Sequence, residues 1–294
     1  MSKLNNLTDF LTSLANAFRS KLGTTATINP QDFDSKVTEV YDAGYEQGKS
    51  EGGGVDLSSL TNWTYFNHKN SRAIIIESMD YGATSNGTDF SYMFNECSSL
   101  TTIPLFDTSN GTKFNCMHRQ CPQLTQIPAF NTSKGTDFTH FCSACYAITT
   151  VPTFDTSNGT SFGYMFSSCS NLTQVPTLNT SKGTTFYYMF NYCKALTTIS
   201  GIDLTKATRV NNMFDQCTAL VDITFNGTIS ITGVDLQYST ALSKDSFISA
   251  INALSSTTTG LSITFSNTAK EAALTDDEWA DLIATKSNWT INLL

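Results

Sequence analysis

A single cysteine returns at Cys97, Cys121, Cys145, Cys169, Cys193 and Cys217, always twenty-four residues apart and without an insertion. Self-similarity at a fixed period of this size predicts a solenoid, because one repeat buries its apolar face only by stacking on its neighbours. The periodic stretch runs from Phe90 to Ile223, nearly half of the 294 residues. Such an array supplies a surface and leaves open what that surface meets. Stacked coils bring equivalent Cα atoms to about 4.8 Å, a separation that a disulfide tolerates. Parallel side chains suit a ladder of buried thiols better than bridges, so reduced, core-filling cysteines are the favoured reading and pairwise disulfides the alternative.

The other apolar columns keep the same period. Leu100, Ile103 and Phe106 recur as Leu124, Ile127 and Phe130, then as Ile148, Val151 and Phe154. Pro104, Pro128, Pro152 and Pro176 follow and cannot donate to a strand ladder, which predicts very short parallel strands. The turn Asp107 to Thr112 comes next, with Gly111 expected to supply a positive φ. Asp107, Asn131, Asp155 and Asn179 alternate, so no two carboxylates stack on adjacent coils. Phe162, Met165, Phe166 and Cys169 lie at i, i+3, i+4 and i+7, the spacing of one face of a helical turn. Each coil therefore reads as strand, turn and helical turn. The expected fold class is an α/β solenoid, a leucine-rich-repeat-like right-handed coil of 24-residue repeats.

Flanking segments differ. Residues 1–54 carry two amphipathic stripes, the second opened by Asn29 and Pro30, before a Gly52-Gly53-Gly54 linker. They read as an N-terminal helical segment for docking or oligomerisation. Residues 55–89, with Trp63, Tyr65 and Phe66, read as an N-terminal cap, residues 90–227 as the solenoid, and residues 228–294 as a C-terminal β-α-β-α-β cap. In that cap the expected strands are Thr228 to Val234, Leu261 to Phe265 and Trp289 to Leu293, with helices after Ser243 and Thr275. Thr275 and Glu278 form a capping box.

Charged residues are 14% of the chain and the net charge is -8. No basic stripe exists to release counterions from phosphates, which argues against nucleic acid as a partner. The chain has no eighteen-residue apolar run, so no membrane span is expected, and residues 1–23 lack the apolar core of a secretory signal.

Met93-Phe94-Asn95-Glu96-Cys97-Ser98-Ser99-Leu100 with Phe106-Asp107-Thr108-Ser109 strongly resembles the BspA-like leucine-rich repeats of bacterial surface proteins. That resemblance covers Phe90 to about Ile223 and implies an adhesin-type surface. The segments Ala17-Phe18-Arg19-Ser20-Lys21-Leu22-Gly23-Thr24-Thr25 and Ile28-Asn29-Pro30-Gln31-Asp32-Phe33 resemble the start of phage tail and baseplate-associated proteins. Together the resemblances imply an attachment protein of a virion, made in the host cytoplasm. Its implied partners are a host-surface protein or glycan and, through residues 1–50, other virion proteins and sister chains, a trimer among the possible homo-oligomers. A bacterial cell-surface adhesin and a structural spacer are the alternatives.

Three sets of residues stand out as candidate sites. Tyr92, Tyr164, Tyr187, Tyr188 and Tyr192 occupy columns that vary between repeats, and Tyr offers rigid area with a polar tip for protein or sugar contacts. Their alternative role is ordinary half-buried cover. Thr102, Gln126, Thr150, Gln174 and Thr198 form a hydrogen-bonding column on the opposite face, suited either to a glycan or simply to solubility. A third departure is reciprocal: where other coils carry Tyr and Phe, Cys116 and His118 stand in one coil and His140 and Cys142 in the next. Cys and His are zinc ligands. On the helical reading, however, His118 and Cys142 face inward while Cys116 and His140 lie on the surface. Filling a missing Phe volume is therefore the favoured role, and no cofactor is expected. Three histidines, His68, His118 and His140, stand in no nucleophile or paired-carboxylate setting, so no enzymatic activity is expected.

Overall fold

The computed structural model describes residues 84–294. The helices and glycine linker expected in residues 1–54, and most of the 55–89 cap, lie outside the described residues.

From Thr88 onward the backbone is tied to itself one period away. The N–H groups of Phe90, Tyr92, Phe94 and Glu96 donate to the carbonyls of Lys113, Asn115, Met117 and Arg119 at 2.7–3.0 Å. The intervening groups of Met93, Asn95 and Cys97 donate locally, three residues back, to Phe90, Tyr92 and Phe94. This alternation recurs coil after coil and is not helical, since no N–H in the segment bonds four residues back. The expected helical turn is thus replaced by overlapping turns, with left-handed backbone at Tyr92 and Glu96 (φ 59° and 62°) and again in each later coil through Asn212 and Gln216. Left-handed φ at non-glycine residues is uncommon. Here each turn sends every second N–H outward to the next coil, and those bonds offset the strain. The apolar face is still the one expected from the spacing: Phe90, Met93, Phe94 and Cys97 are buried, as are their copies at Phe162, Met165, Phe166 and Cys169.

Side chains repeat the tie. The hydroxyls of Thr112, Thr136, Thr160, Thr184 and Thr208 each donate to the carbonyl of the threonine 24 residues earlier, at 2.9–3.1 Å. The thiols of Cys121, Cys145, Cys169, Cys193 and Cys217 donate to the carbonyls of Phe94, His118, Cys142, Phe166 and Phe190 at 2.9–3.1 Å. All eight cysteines are free and buried. Each of these five thiols therefore donates to a carbonyl inside the core, as well as filling it.

Phe90, Phe114, Phe138, Phe162 and Phe186 stack in near-parallel rings with centroids 5.5–5.8 Å apart. That column explains the turn glycines. A Cβ on Gly111, Gly135, Gly159 or Gly183 would lie 2.2–2.6 Å from the Cζ of Phe114, Phe138, Phe162 or Phe186. None of these glycines has positive φ, so close approach of the ring requires them, not the backbone conformation expected from the sequence. Asp107 and Asn131 accept from the N–H groups of Ser109 and Ser133 at 2.8 and 3.1 Å, closing the turn. Lys134 and Lys182 donate to the Asn110 and Asn158 side chains of the preceding coil at 2.6 and 2.7 Å.

The array passes into regular elements. β1 (Thr198–Asp203) pairs in parallel with β2 (Asp222–Asn226). β3 (Val234–Leu236), β4 (Leu261–Phe265) and β5 (Trp289–Leu293) form a parallel three-stranded sheet in that order. The connections are α1 (Lys244–Ala253), α2 (Asn267–Ala273) and α3 (Asp276–Ala284). The first strand lies later than the expected Thr228 to Val234, because Ile229 instead bridges Leu254 beyond α1, and α2 is a helix additional to the expected order. Ser243 caps α1 and Thr275 forms the capping box of α3. Ser239 donates to the Cys217 carbonyl at 3.2 Å, and Ser246 accepts from the Ile223 N–H at 2.9 Å. One hydrophobic cluster runs without a break from Phe90 to Trp289. Among the described residues, no helix is long and apolar enough to cross a membrane.

Candidate functional site

Positions 92, 116, 140, 164, 188 and 212 form one column, held by the left-handed residues of successive coils. Its occupants are Tyr92, Cys116, His140, Tyr164, Tyr188 and Asn212. The identical backbone at each level makes the side chains stack. His140 lies 4.3 Å from Tyr164 and Tyr164 lies 4.7 Å from Tyr188, with interplanar angles of 7° and 6°. Tyr187 stands edge-on to Tyr164 at 5.2 Å. Room for it comes from Gly163, where a Cβ would meet the Tyr187 ring at 2.5 Å. Arg209 covers the Tyr187 ring with its guanidinium 4.1 Å from the centroid, an arrangement worth about 0.5–1 kcal/mol at an exposed site. Burial, reinforced by Tyr188 and Tyr187, raises the Tyr164 phenol above its ordinary range.

Three of the five expected tyrosines thus meet in one half-buried patch: Tyr164, Tyr187 and Tyr188. Tyr192 stands apart in another column, exposed, with the Lys194 ammonium 5.4 Å from its ring. Tyr92 is separated from the patch by the level of Cys116, whose thiol pKa is raised by burial while a hydrogen bond with Tyr92 acts in the opposite sense. His140, Gly163 and Arg209 belong to the patch and were not expected there. Gly163 carried a readable signal, a missing side chain one period before Tyr187; Arg209, from the following coil, carried none. Thr102, Gln126 and Gln174 are exposed along the opposite column, where Thr150, Gln174, Thr198 and Asp222 bridge in register.

Cys116, His118, His140 and Cys142 do not converge. Among the described residues, no three His, Cys, Asp or Glu side chains are placed to hold a metal ion. Cys116, expected on the surface, is buried. His118 is fully buried, its ring parallel to Phe94 at 5.7 Å and to Phe130 at 5.9 Å, and edge-on to Phe141 at 4.9 Å. Neither ring nitrogen meets a partner in hydrogen-bonding geometry. Desolvation lowers its pKa to about 3, and the Phe141 backbone acts in the opposite sense. A neutral imidazole here packs as an aromatic ring. Burial pushes the Cys142 thiol well above the usual range, with Cys145 and Cys169 adding to the effect. Such a protonated thiol is a weak nucleophile and a weak ligand.

At the end of the tyrosine column a cleft of about 160 Å³ opens between the last coil and the parallel sheet, lined by Asn211, Asn212, Gly233, Val234, Asp235, Ser262 and Thr264.

A protein-family model described as "Mycoplasma protein of unknown function, DUF285" matches residues 55–151 and again 126–226, together more than half of the chain. The two matches begin nearly three 24-residue periods apart, so one copy of the model spans several coils. No curated protein matches the chain.

Proposed function

We propose, from the premise that the chain belongs to this repeat-containing family related to BspA-like proteins, that it is a non-enzymatic attachment protein. Its array acts as a leucine-rich-repeat-like solenoid that presents a surface to a host protein or glycan. Residues 1–50 anchor it to other virion proteins or to sister chains at a phage tail or baseplate. The observation that carries the reading is a contrast between columns. Inward columns keep Phe, Met and Cys through coil after coil, whereas the column from Tyr92 to Asn212 changes at most levels, and its half-exposed His140, Tyr164 and Tyr188 gather beside Tyr187 and the exposed Arg209. Variation against a constant scaffold is how a tiled surface acquires a partner.

The test has two parts. Mass spectrometry of purified particles should find the protein on virions, and the purified chain should adsorb to host cells. Tyr187→Ala combined with Tyr188→Ala should reduce adsorption at least tenfold; unchanged adsorption counts against recognition through this patch and favours a spacer. A bacterial cell-surface location is the second reading, supported by the family description, which names bacterial proteins. Finding the protein on uninfected cells and not on particles would select it.

A further inference from the structure

The outer column and the cleft beyond it form one continuous track. At most levels of the stack, ring faces are used up: Tyr164 lies between His140 and Tyr188, and Tyr187 is held between Gly163 and Arg209. Tyr188 is different. One face rests on Tyr164, and the next level of its column holds Asn212, whose side chain is too short to span the second face, so among the described residues no ring stacks on the outer part of that face. Asn212 and its neighbour Asn211 form the array's wall of the 160 Å³ cleft, and Asp235, Ser262 and Thr264 form the sheet's wall.

The chemistry of the cleft is selective. No hydrogen bond within the described chain occupies the side-chain amides of Asn211 and Asn212 or the hydroxyl of Thr264, whereas Ser262 pairs with Thr232 at 2.8 Å. Amides and hydroxyls both donate and accept, which matches the mixed donors and acceptors of a polyol. A cation is poorly served, because Asp235 is the single carboxylate in the wall and the Gln237 backbone and side chain already donate to it at 3.0 and 2.8 Å. The volume falls below the ~300 Å³ at which pockets for drug-sized molecules begin, so one ring-sized group fits and a larger ligand must extend outward along the column.

We propose that this track binds an uncharged glycan, with a terminal hexose in the cleft between Asn211, Asn212, Asp235 and Thr264 and the adjoining sugar against the outer part of the Tyr188 ring, beyond the reach of Asn212. The proposal rests on the attachment reading above and names the ligand class of that surface.

Titration of the purified full chain with neutral hexoses and their di- and trisaccharides, followed by ligand-observed NMR, tests it. At least one sugar should bind with a roughly millimolar Kd, and its trisaccharide should bind at least tenfold more tightly than the monosaccharide. Asn212→Ala and Thr264→Val should each weaken the monosaccharide at least fivefold, while Tyr188→Ala should erase the trisaccharide's advantage. Circular dichroism of each variant should match the parent, and Tyr192→Ala, remote from the track, should bind as the parent does. Absence of binding by every neutral sugar, or binding unaffected by the cleft variants, overturns the proposal. Adsorption to host cells is measured in parallel with periodate-treated cells. Adsorption that survives periodate and Tyr188→Ala leaves an attachment protein without this glycan site, whereas absence of adsorption removes the attachment reading itself.

Discussion

The coil array and the C-terminal α/β unit solve the same backbone problem in opposite ways. In the array, alternate backbone donors and the threonine hydroxyls reach partners 23 or 24 residues away, as Phe162 does to Thr185 and Thr160 to Thr136, and the core thiols reach 27, as Cys169 does to the Cys142 carbonyl. Within the unit after Ile229, helices satisfy themselves and are closed by their own caps, Ser243, Ser266 and Thr275. The reach of a substitution therefore differs between the two. A lost side chain in the array unseats the coils on either side, while a lost cap in the α/β unit affects one helix.

The largest effect is expected from Phe166→Ala. Phe166 is fully buried and stacks on Phe190 at 5.9 Å, so the cavity should cost about 3–5 kcal/mol. Because the core is continuous from Phe90 to Trp289, calorimetry should show one transition shifted as a whole. Two separated transitions would divide the molecule at β2.

Acid should act on the array first, since His118 and His140 lie there and the α/β unit has no histidine. The pKa of His118 falls to about 3 and that of His140 to about 4 through desolvation, with Arg119 adding to the second shift. Both groups are neutral when folded, so the unfolded chain binds more protons below about pH 6.5. Stability is fully present above that pH and declines as the pH falls toward 3, by up to about 1.4 kcal/mol per unit for His118 alone. His118→Phe should flatten the slope in denaturant titrations between pH 6 and 4; an unchanged slope would show that His118 is not buried neutral.

Gly159→Ala would place a Cβ 2.4 Å from the Phe162 Cζ, and an overpacked ring should cost about 1–3 kcal/mol. If positive φ were the constraint, Gly159→Asn would be tolerated better than Gly159→Ala. Ring contact predicts that the larger Asn is worse, and chemical denaturation of the two variants separates the cases. The smallest effect belongs to the α/β unit. Thr275→Ala removes the capping box of α3 and should cost about 1 kcal/mol, with hydrogen exchange accelerated in 276–284 and unchanged near Thr136.

The inward columns were legible because burial follows the period directly: Phe, Met and Cys at fixed offsets have nowhere else to go. The backbone carrying them was not. A spacing of i, i+3, i+4, i+7 fits a helical turn and also a run of overlapping turns with left-handed residues at every fourth position, and no glycine marks Tyr92, Cys116 or Tyr188. For the turn glycines the residue was readable but the cause was not, since the crowding ring at Phe114 or Phe162 is visible only in three dimensions. Tyr187 and Tyr188 drew notice by their density. Arg209 and the cleft did not, because their partners come from the next coil and from a sheet outside the period.

The Lys134–Asn110 and Lys182–Asn158 bonds carry a consequence for how such an array changes length. Each of these Lys side chains needs an Asn on the coil before it, so the Asn-Lys pair of coils is a unit that can be copied without loss. Duplication or deletion of a pair leaves every such bond with its partner, whereas duplication of a Lys-bearing coil alone sets Lys against Lys, as already happens between Lys182 and Lys206. Within this stretch, inheritance by unequal exchange should disfavour the copying of a single Lys-bearing coil and the loss of a single Asn-bearing one.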